Sequence, residues 1–208
     1  MSRRRSRRYS SGIRVRHPAL FVSALSVIGA LVIAFVALSL LNGGSGQHSK
    51  EHPDYPYSVQ MFADQGHQHF PVGEVRNGYY NSNPPTSGDH AAVPATWGVH
   101  NEAVPKEQAV HNMEHGGVVV WYNCNAGSQP LDANGCAALR SQLTAIVKPD
   151  VDDGMFIVMT PYSEIDSQIA LTAWQYLDAF DNFEEARVRA FIASFECRSG
   201  PEATRFCS

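Results

Sequence analysis

Six of the nine histidines in this 208-residue chain, His67, His69, His90, His100, His111 and His115, fall within 49 consecutive residues, and none follows His115. Imidazole binds metals and moves protons near neutral pH, so any chemistry is to be sought in that window. Its densest constellation is His111-Asn112-Met113-Glu114-His115, directly before Gly116-Gly117. On a strand, the period of two would put His111, Met113 and His115 on one face; on a helix, His111 and His115 share a face at i, i+4 and Met113 points away. Two imidazoles with a soft thioether suit copper, Cu(I) above all, whereas two imidazoles with a carboxylate suit zinc or iron. His67 and His69 make a second same-face pair if that stretch is extended. The run Asn83-Pro84-Pro85-Thr86-Ser87-Gly88 reads as a rigid turn delivering His90 to a fixed place.

These residues support a metal set of His90, His111 and His115, with Met113, His67 and His69 as auxiliaries, and copper favoured over zinc. Histidine ligands must be deprotonated, so binding is expected to weaken below about pH 6.5. The competing reading is a metal-free structural or interaction domain of the cell envelope, its imidazoles hydrogen-bonding a loop-rich surface to a sheet.

Two catalytic patterns are weaker. His111 to His115 spells H-x-x-E-H, the inverted zinc-peptidase motif, in which the glutamate activates water. That requires a helix of several turns, which residues 105–115 could supply, and a further ligand such as Glu184 or Glu185. Gly116-Gly117 ends the segment at its second histidine, which makes a zinc-dependent hydrolase the remote alternative. Thr86-Ser87-Gly88-Asp89-His90 holds serine, aspartate and histidine together, but sequence neighbours rarely form a relay and G-x-S-x-G is absent.

The elements that must position these residues follow from periodicity. Residues 54–105 are aromatic but crowded with Pro, Gly and Asn, which predicts ordered loops and short strands. Residues 118–122 (Val-Val-Val-Trp-Tyr) form a short β-branched and aromatic run, the signature of a buried strand, and residues 155–159 repeat it. Between them residues 136–147 present Leu139, Leu143, Ile146 and Val147 at helical spacing, with Pro149 as the expected stop. Residues 169–177 are apolar and ambiguous between strand and helix. Asp181 or Asn182 can cap a last helix with Glu184 and Glu185 in its first turn, Val188, Phe191, Ile192 and Phe195 on one face, and Gly200-Pro201 as its stop. The expected fold is α+β: a small β-sheet packed with a C-terminal helix and one further helix, behind a loop-rich N-terminal half.

Charge and hydropathy place this domain. Residues 1–17 carry seven arginines and no acid, leaving nine of the sixteen Lys+Arg against all twenty Asp+Glu, a net of −11 for the rest. A body that acidic repels phosphate, which argues against a nucleic-acid partner. Residues 19–41 are 23 uncharged positions, about 35 Å as a helix, enough for a bilayer core. Arginines before the segment and none just after it give the positive-inside signature. The organisation expected is a basic cytoplasmic arm (1–17), a transmembrane anchor in the lipid bilayer (18–41), a flexible tether (42–53) and an extracytoplasmic domain (54–208). A cleaved signal peptide is the alternative, with residues 37–39 as a small-residue cleavage site.

All four cysteines lie beyond the anchor, where disulfides can persist. Cys124–Cys136 and Cys197–Cys207 are the expected pairs, because each brackets a short polar or Gly/Pro-containing loop. No C-x-x-C occurs, which disfavours a thiolate zinc site.

Taken together, Asn83-Pro84-Pro85-Thr86-Ser87-Gly88-Asp89-His90, Gly98-Val99, residues 110–122, Ala170-Leu171-Thr172-Ala173-Trp174 and Gly200-Pro201-Glu202 resemble the bacterial domain of unknown function 3105 family, over about residues 54–202. Asp89 stands where that family usually has proline, and Met113 where it usually has leucine. The resemblance implies a membrane-anchored or secreted protein and a strand at residues 170–174. It supports fold and location rather than an activity, and leaves an envelope protein partner open.

Overall fold

A long apolar strand at the centre of a sheet can bury both faces only if something covers each of them, and that requirement organises this domain. The computed structural model describes residues 55–207 and the two-residue strand His48–Ser49; the proposed arm and anchor lie outside the described residues. Among the described residues no helix is long and apolar enough to cross a membrane.

The strands are β1 (His48–Ser49), β2 (Gln60–Met61), β3 (His69–Phe70), β4 (His90–Ala91), β5 (Gly98–Val99), β6 (Val118–Tyr122), β7 (Ile157–Pro161), β8 (Ile169–Ala173) and β9 (Tyr176–Phe180). The helices are α1 (Lys106–Glu114), α2 (Ala133–Asp152), α3 (Glu185–Phe195) and α4 (Ala203–Phe206). Six strands of residues 55–207 form a mixed sheet in the order β2-β9-β8-β6-β7-β5, and β1 adds to its β2 edge. β6 pairs parallel with β7 through the α2 crossover and antiparallel with β8. β3 and β4 form a separate parallel pair. The α+β expectation holds, with a larger sheet than the sequence suggested.

β6 alternates: Val118, Val120 and Tyr122 join the core under α2 and α3, while Val119 and Trp121 join the opposite core with Val110 and Met113 of α1. Burial on both faces explains why its sequence is a continuous apolar run rather than an alternation. The ambiguous run 169–177 is a hairpin: β8 turns through Trp174 and Gln175 into β9, with Ala173 opposite Tyr176 and Gln175 at φ 70°.

α2 buries the expected Leu139, Leu143, Ile146 and Val147. Asp132 caps its start, accepting from the Gly135 N–H at 2.7 Å. Pro149 does not end it. Proline forfeits one hydrogen bond to the preceding turn, but the Lys148–Asp152 ion pair at 2.7 Å spans the final turn, and the helix runs on to Asp152. α3 begins later than expected, at Glu185 behind Glu184, with no side-chain cap. Asp181 is occupied elsewhere, accepting the backbone N–H groups of Ser128 at 2.7 Å and Gln168 at 3.2 Å. α3 also stops at Phe195, before Gly200-Pro201, where Cys197 adopts φ 57°.

Both disulfides form as paired from the sequence, Cys124–Cys136 and Cys197–Cys207, and no described cysteine is free.

Candidate metal centre

The β3–β4 pair does the first part of the positioning. Its parallel register sets His69 opposite His90 and Phe70 opposite Ala91, through His90 N–H to Gln68 O (2.9 Å) and Ala92 N–H to Phe70 O (2.8 Å). Registered partners project to the same face of a sheet, so the two imidazoles stand side by side. The turn before β4 contains a cis Asn83–Pro84 peptide, and Thr86 and Ser87, both fully buried, anchor it. Gly88 has φ +122°, and a Cβ there would press on the rings of Tyr79 and Tyr80 at 3.0–3.2 Å. Only glycine fits that backbone, and its carbonyl accepts from Nδ1 of His90 at 2.8 Å.

α1 packs on β4 and supplies the second part. The His-Asn-Met-Glu-His run is helical through Glu114, with His115 as the C-cap. His111 and Glu114, at i and i+3, share the face over β3–β4. His111 donates from Nδ1 to the Ala91 carbonyl at 2.7 Å. Asn112 clamps the loop at Ala95, accepting its N–H and donating to its carbonyl, both at 2.9 Å. Met113 turns the other way into the apolar cluster with Val119 and Trp121, fully buried. Gly116 and Gly117 return the chain from helix to strand, Gly117 N–H donating to Asn112 O at 2.9 Å.

The result is four donors, from His69, His90, His111 and Glu114, all within 4.8 Å of one another. Oε2 of Glu114 lies 3.1 Å from Nε2 of His69 and 3.0 Å from Nε2 of His90. Ligand atoms about 2.0–2.1 Å from a tetrahedral ion lie roughly 3.3 Å apart, so these spacings are close to those around a bound metal. The surroundings also match what metal-binding imidazoles need: His90 and His111 each give their Nδ1 proton to a backbone carbonyl, which directs the Nε2 lone pair inward.

Electrostatics sharpens the point. Glu114 is almost fully buried, its side chain 2% exposed, and it sits in the last turn of α1. A carboxylate buried there calls for a positively charged partner, which the C-terminal end of a helix does not supply. His90, with no exposure, has an acceptor at each ring nitrogen, the Gly88 carbonyl and the Glu114 carboxylate. A neutral imidazole has one N–H for two acceptors; a cation between Nε2 and Oε2 resolves the mismatch. Burial, the largest influence on each, holds the imidazoles of His111 and His115 below their ordinary range, which keeps their lone pairs available.

Of the residues singled out in the sequence, His69, His90 and His111 converge. His115 lies alongside, its Nε2 3.1 Å from Nε2 of His111, and groups with Glu114 and Glu202 rather than with the three converging histidines. His67 is exposed on the approach to β3 and belongs to neither group. His100 donates from Nε2 to Thr96 O at 2.8 Å instead. Glu184 and Glu185, considered as a third ligand for the peptidase motif, pair with Arg187 and Arg189 on α3. Glu114 was legible as the carboxylate of a zinc-type set and as a water-activating base, but it was not among the favoured ligands; the i, i+3 spacing from His111 is the signal that finds it. Glu202 had no local signal.

No curated protein and no solved structure matches this chain. A family model described as "Protein of unknown function (DUF3105)" matches residues 74–208, a span that holds every converging donor except His69. With about two thirds of its length under that match, the chain belongs to the DUF3105 family.

Proposed function

We propose that this is an extracytoplasmic, membrane-tethered domain that binds a divalent transition metal through His69, His90, His111 and Glu114. The observation that carries the reading is the buried Glu114 carboxylate facing imidazole nitrogens at 3.0 and 3.1 Å, one of which belongs to a histidine whose other nitrogen is already committed to a backbone carbonyl. Three nitrogens and an oxygen make a borderline donor set, which suits zinc and other first-row divalent ions. The expectation of Cu(I) rested on a thioether, and Met113 is packed in the apolar core. Zinc is therefore the ion we favour.

The test is metal analysis of the full chain purified in detergent without chelator or reductant, then stripped and reloaded with zinc or copper. Stoichiometric zinc is expected in the wild type and its loss in His90→Ala and Glu114→Gln. No metal in any of the three would leave the metal-free envelope domain as the better account, and equal zinc in all three would rule out this ligand set.

Location rests on two supports. The disulfides are of the kind that oxidising compartments maintain, and the arginine-rich arm before residues 18–41 favours a cytoplasmic N-terminus. A reporter fused after Ser208 is expected to behave as extracytoplasmic and membrane-bound. A soluble product beginning near Leu40 would instead identify a cleaved signal peptide.

A further inference from the structure

The C-terminal loop closed by Cys197–Cys207 is docked onto the end of α1 by backbone contacts. Cys197 N–H donates to Gly116 O at 2.8 Å, and Glu202 N–H donates to Glu114 O at 3.0 Å. Gly200 lies so close beneath the helix end, at φ +103°, that a Cβ there would run into the carbonyl oxygens of Met113 and Glu114. Phe206 stacks on the His115 ring, with centroids 3.7 Å apart and planes at 20°. The strap therefore fixes both partners of one contact, Nε2 of His115 and Oε2 of Glu202, at 3.3 Å.

Glu114, His115 and Glu202 each offer a donor atom within 4.8 Å of the others, so Glu114 belongs to both donor groups. His111 has committed its Nδ1 proton to Ala91 O, leaving Nε2 as a lone pair. Once that lone pair is spent on an ion in the first site, His115 Nε2, 3.1 Å away, still faces the Glu202 carboxylate at 3.3 Å. His115 is the better buried of the two, its side chain 12% exposed against 32% for Glu202. A partly buried imidazole between two carboxylates is a cation site of the same chemistry as the first.

We propose that Glu114, His115 and Glu202 hold a second divalent cation, with the Glu114 carboxylate bridging it to the ion at His69, His90 and His111. The inference rests on the first site being a metal site. Carboxylate-bridged pairs of divalent ions stand about 3.5–4 Å apart and can share a water-derived oxygen between them. The half-exposed side chain of His69, at 46%, and that of Glu202 leave this arrangement accessible from solvent.

The experiment is a titration of the chelator-stripped full chain, in detergent and with disulfides intact, with zinc and in parallel with cobalt(II). Stoichiometry is read calorimetrically and, for cobalt, by the loss of paramagnetic signal that coupling between two neighbouring ions produces. Wild type is expected to take two equivalents, and Glu202→Gln and His115→Gln one, with magnetic coupling lost. Retained thermal unfolding in both variants excludes misfolding as the cause; Glu202 also pairs with Arg205 at 3.3 Å, so Arg205→Gln, expected to keep two equivalents, controls for that contact. One equivalent in wild type with Glu202→Gln unchanged would overturn the second site and leave the first standing. Loss of all metal in Glu202→Gln would overturn it too, by showing a single shared site, and no metal in wild type would overturn both.

Discussion

Two of the carboxylates buried in this domain, Asp178 and Glu114, keep different company. Asp178 on β9 receives a bidentate pair from Arg187 of α3, at 2.6 and 2.8 Å, and the hydroxyl of Tyr55. The Arg187 guanidinium also lies 4.1 Å over the Phe180 ring, and Asp178 first, against the cost of burial, pushes its already high pKa further up. That charge is neutralised within the chain. Glu114, on the other side of the sheet, has His69 and His90 as its ion-pair partners, and those are charged only when protonated. One carboxylate is a finished structural joint; the other lies in a cluster whose donor atoms could hold a cation.

The comparison breaks most visibly in the absence of metal. Arg187→Met strands the Asp178 charge, and the loss of one partner of a buried pair costs about 3–5 kcal/mol. Glu114→Gln in chelator leaves an amide of nearly the same shape that can still donate to an imidazole, so the change should stay within about 1 kcal/mol. Urea unfolding of both variants in chelator measures the difference. Equal costs would mean that Glu114 is already neutralised and needs no ion.

Zinc should then invert the order of dependence. At free zinc one hundred times the dissociation constant, a single site adds about 2.7 kcal/mol to the stability of the wild type. Arg187→Met should show the same increment on its lower baseline, whereas Glu114→Gln, which removes the carboxylate common to both donor groups, should show none. Thermal midpoints with and without zinc read this directly.

The disulfides sharpen the same contrast at similar magnitude. Their loops span 12 and 10 residues in sequence, for which chain-entropy reasoning gives about 2–4 kcal/mol each. Cys124→Ser with Cys136→Ser should cost stability alone, because that bridge lies at the α2 end of the sheet core. Cys197→Ser with Cys207→Ser should cost stability and also zinc affinity, since that strap donates to Gly116 and Glu114 at the end of α1. Equal zinc affinity in both double variants would uncouple the strap from the centre.

What could be read from the sequence tracks how long and how periodic each element is. β6 and the buried faces of α2 and α3 were legible because five to twenty residues repeat one message. β3 and β4 are two residues each, too short for a period, yet their register is what brings His69 to His90. The histidine-rich segment was legible as a candidate site by composition, but its geometry turned on whether residues 111–115 follow a period of two or of 3.6. The helix retains His111, brings in Glu114 and sends Met113 to the core. Asp181 shows a different obscurity: a good capping residue was claimed by two distant backbone N–H groups, which no local pattern encodes.

Asp181 also supplies the smallest expected effect, because it extends the comparison to a carboxylate in solvent. Its oxygens take the Ser128 N–H beside the first disulfide loop and the Gln168 N–H before β8. The Ser128 bond above all holds its carboxyl below the ordinary aspartate value of 3.8, with burial opposing weakly. The unfolded chain therefore binds the proton at higher pH than the folded one does. The stabilisation is present above about pH 4 and declines as pH falls through the folded value. Solvent screening limits it to a few tenths of a kcal/mol. Asp181→Asn should remove that much stability at pH 7, and the gap to wild type should close as pH falls below the folded value, as measured by urea midpoints across the acid range. A gap that persists at pH 2 would show that Asp181 acts through its shape rather than its charge.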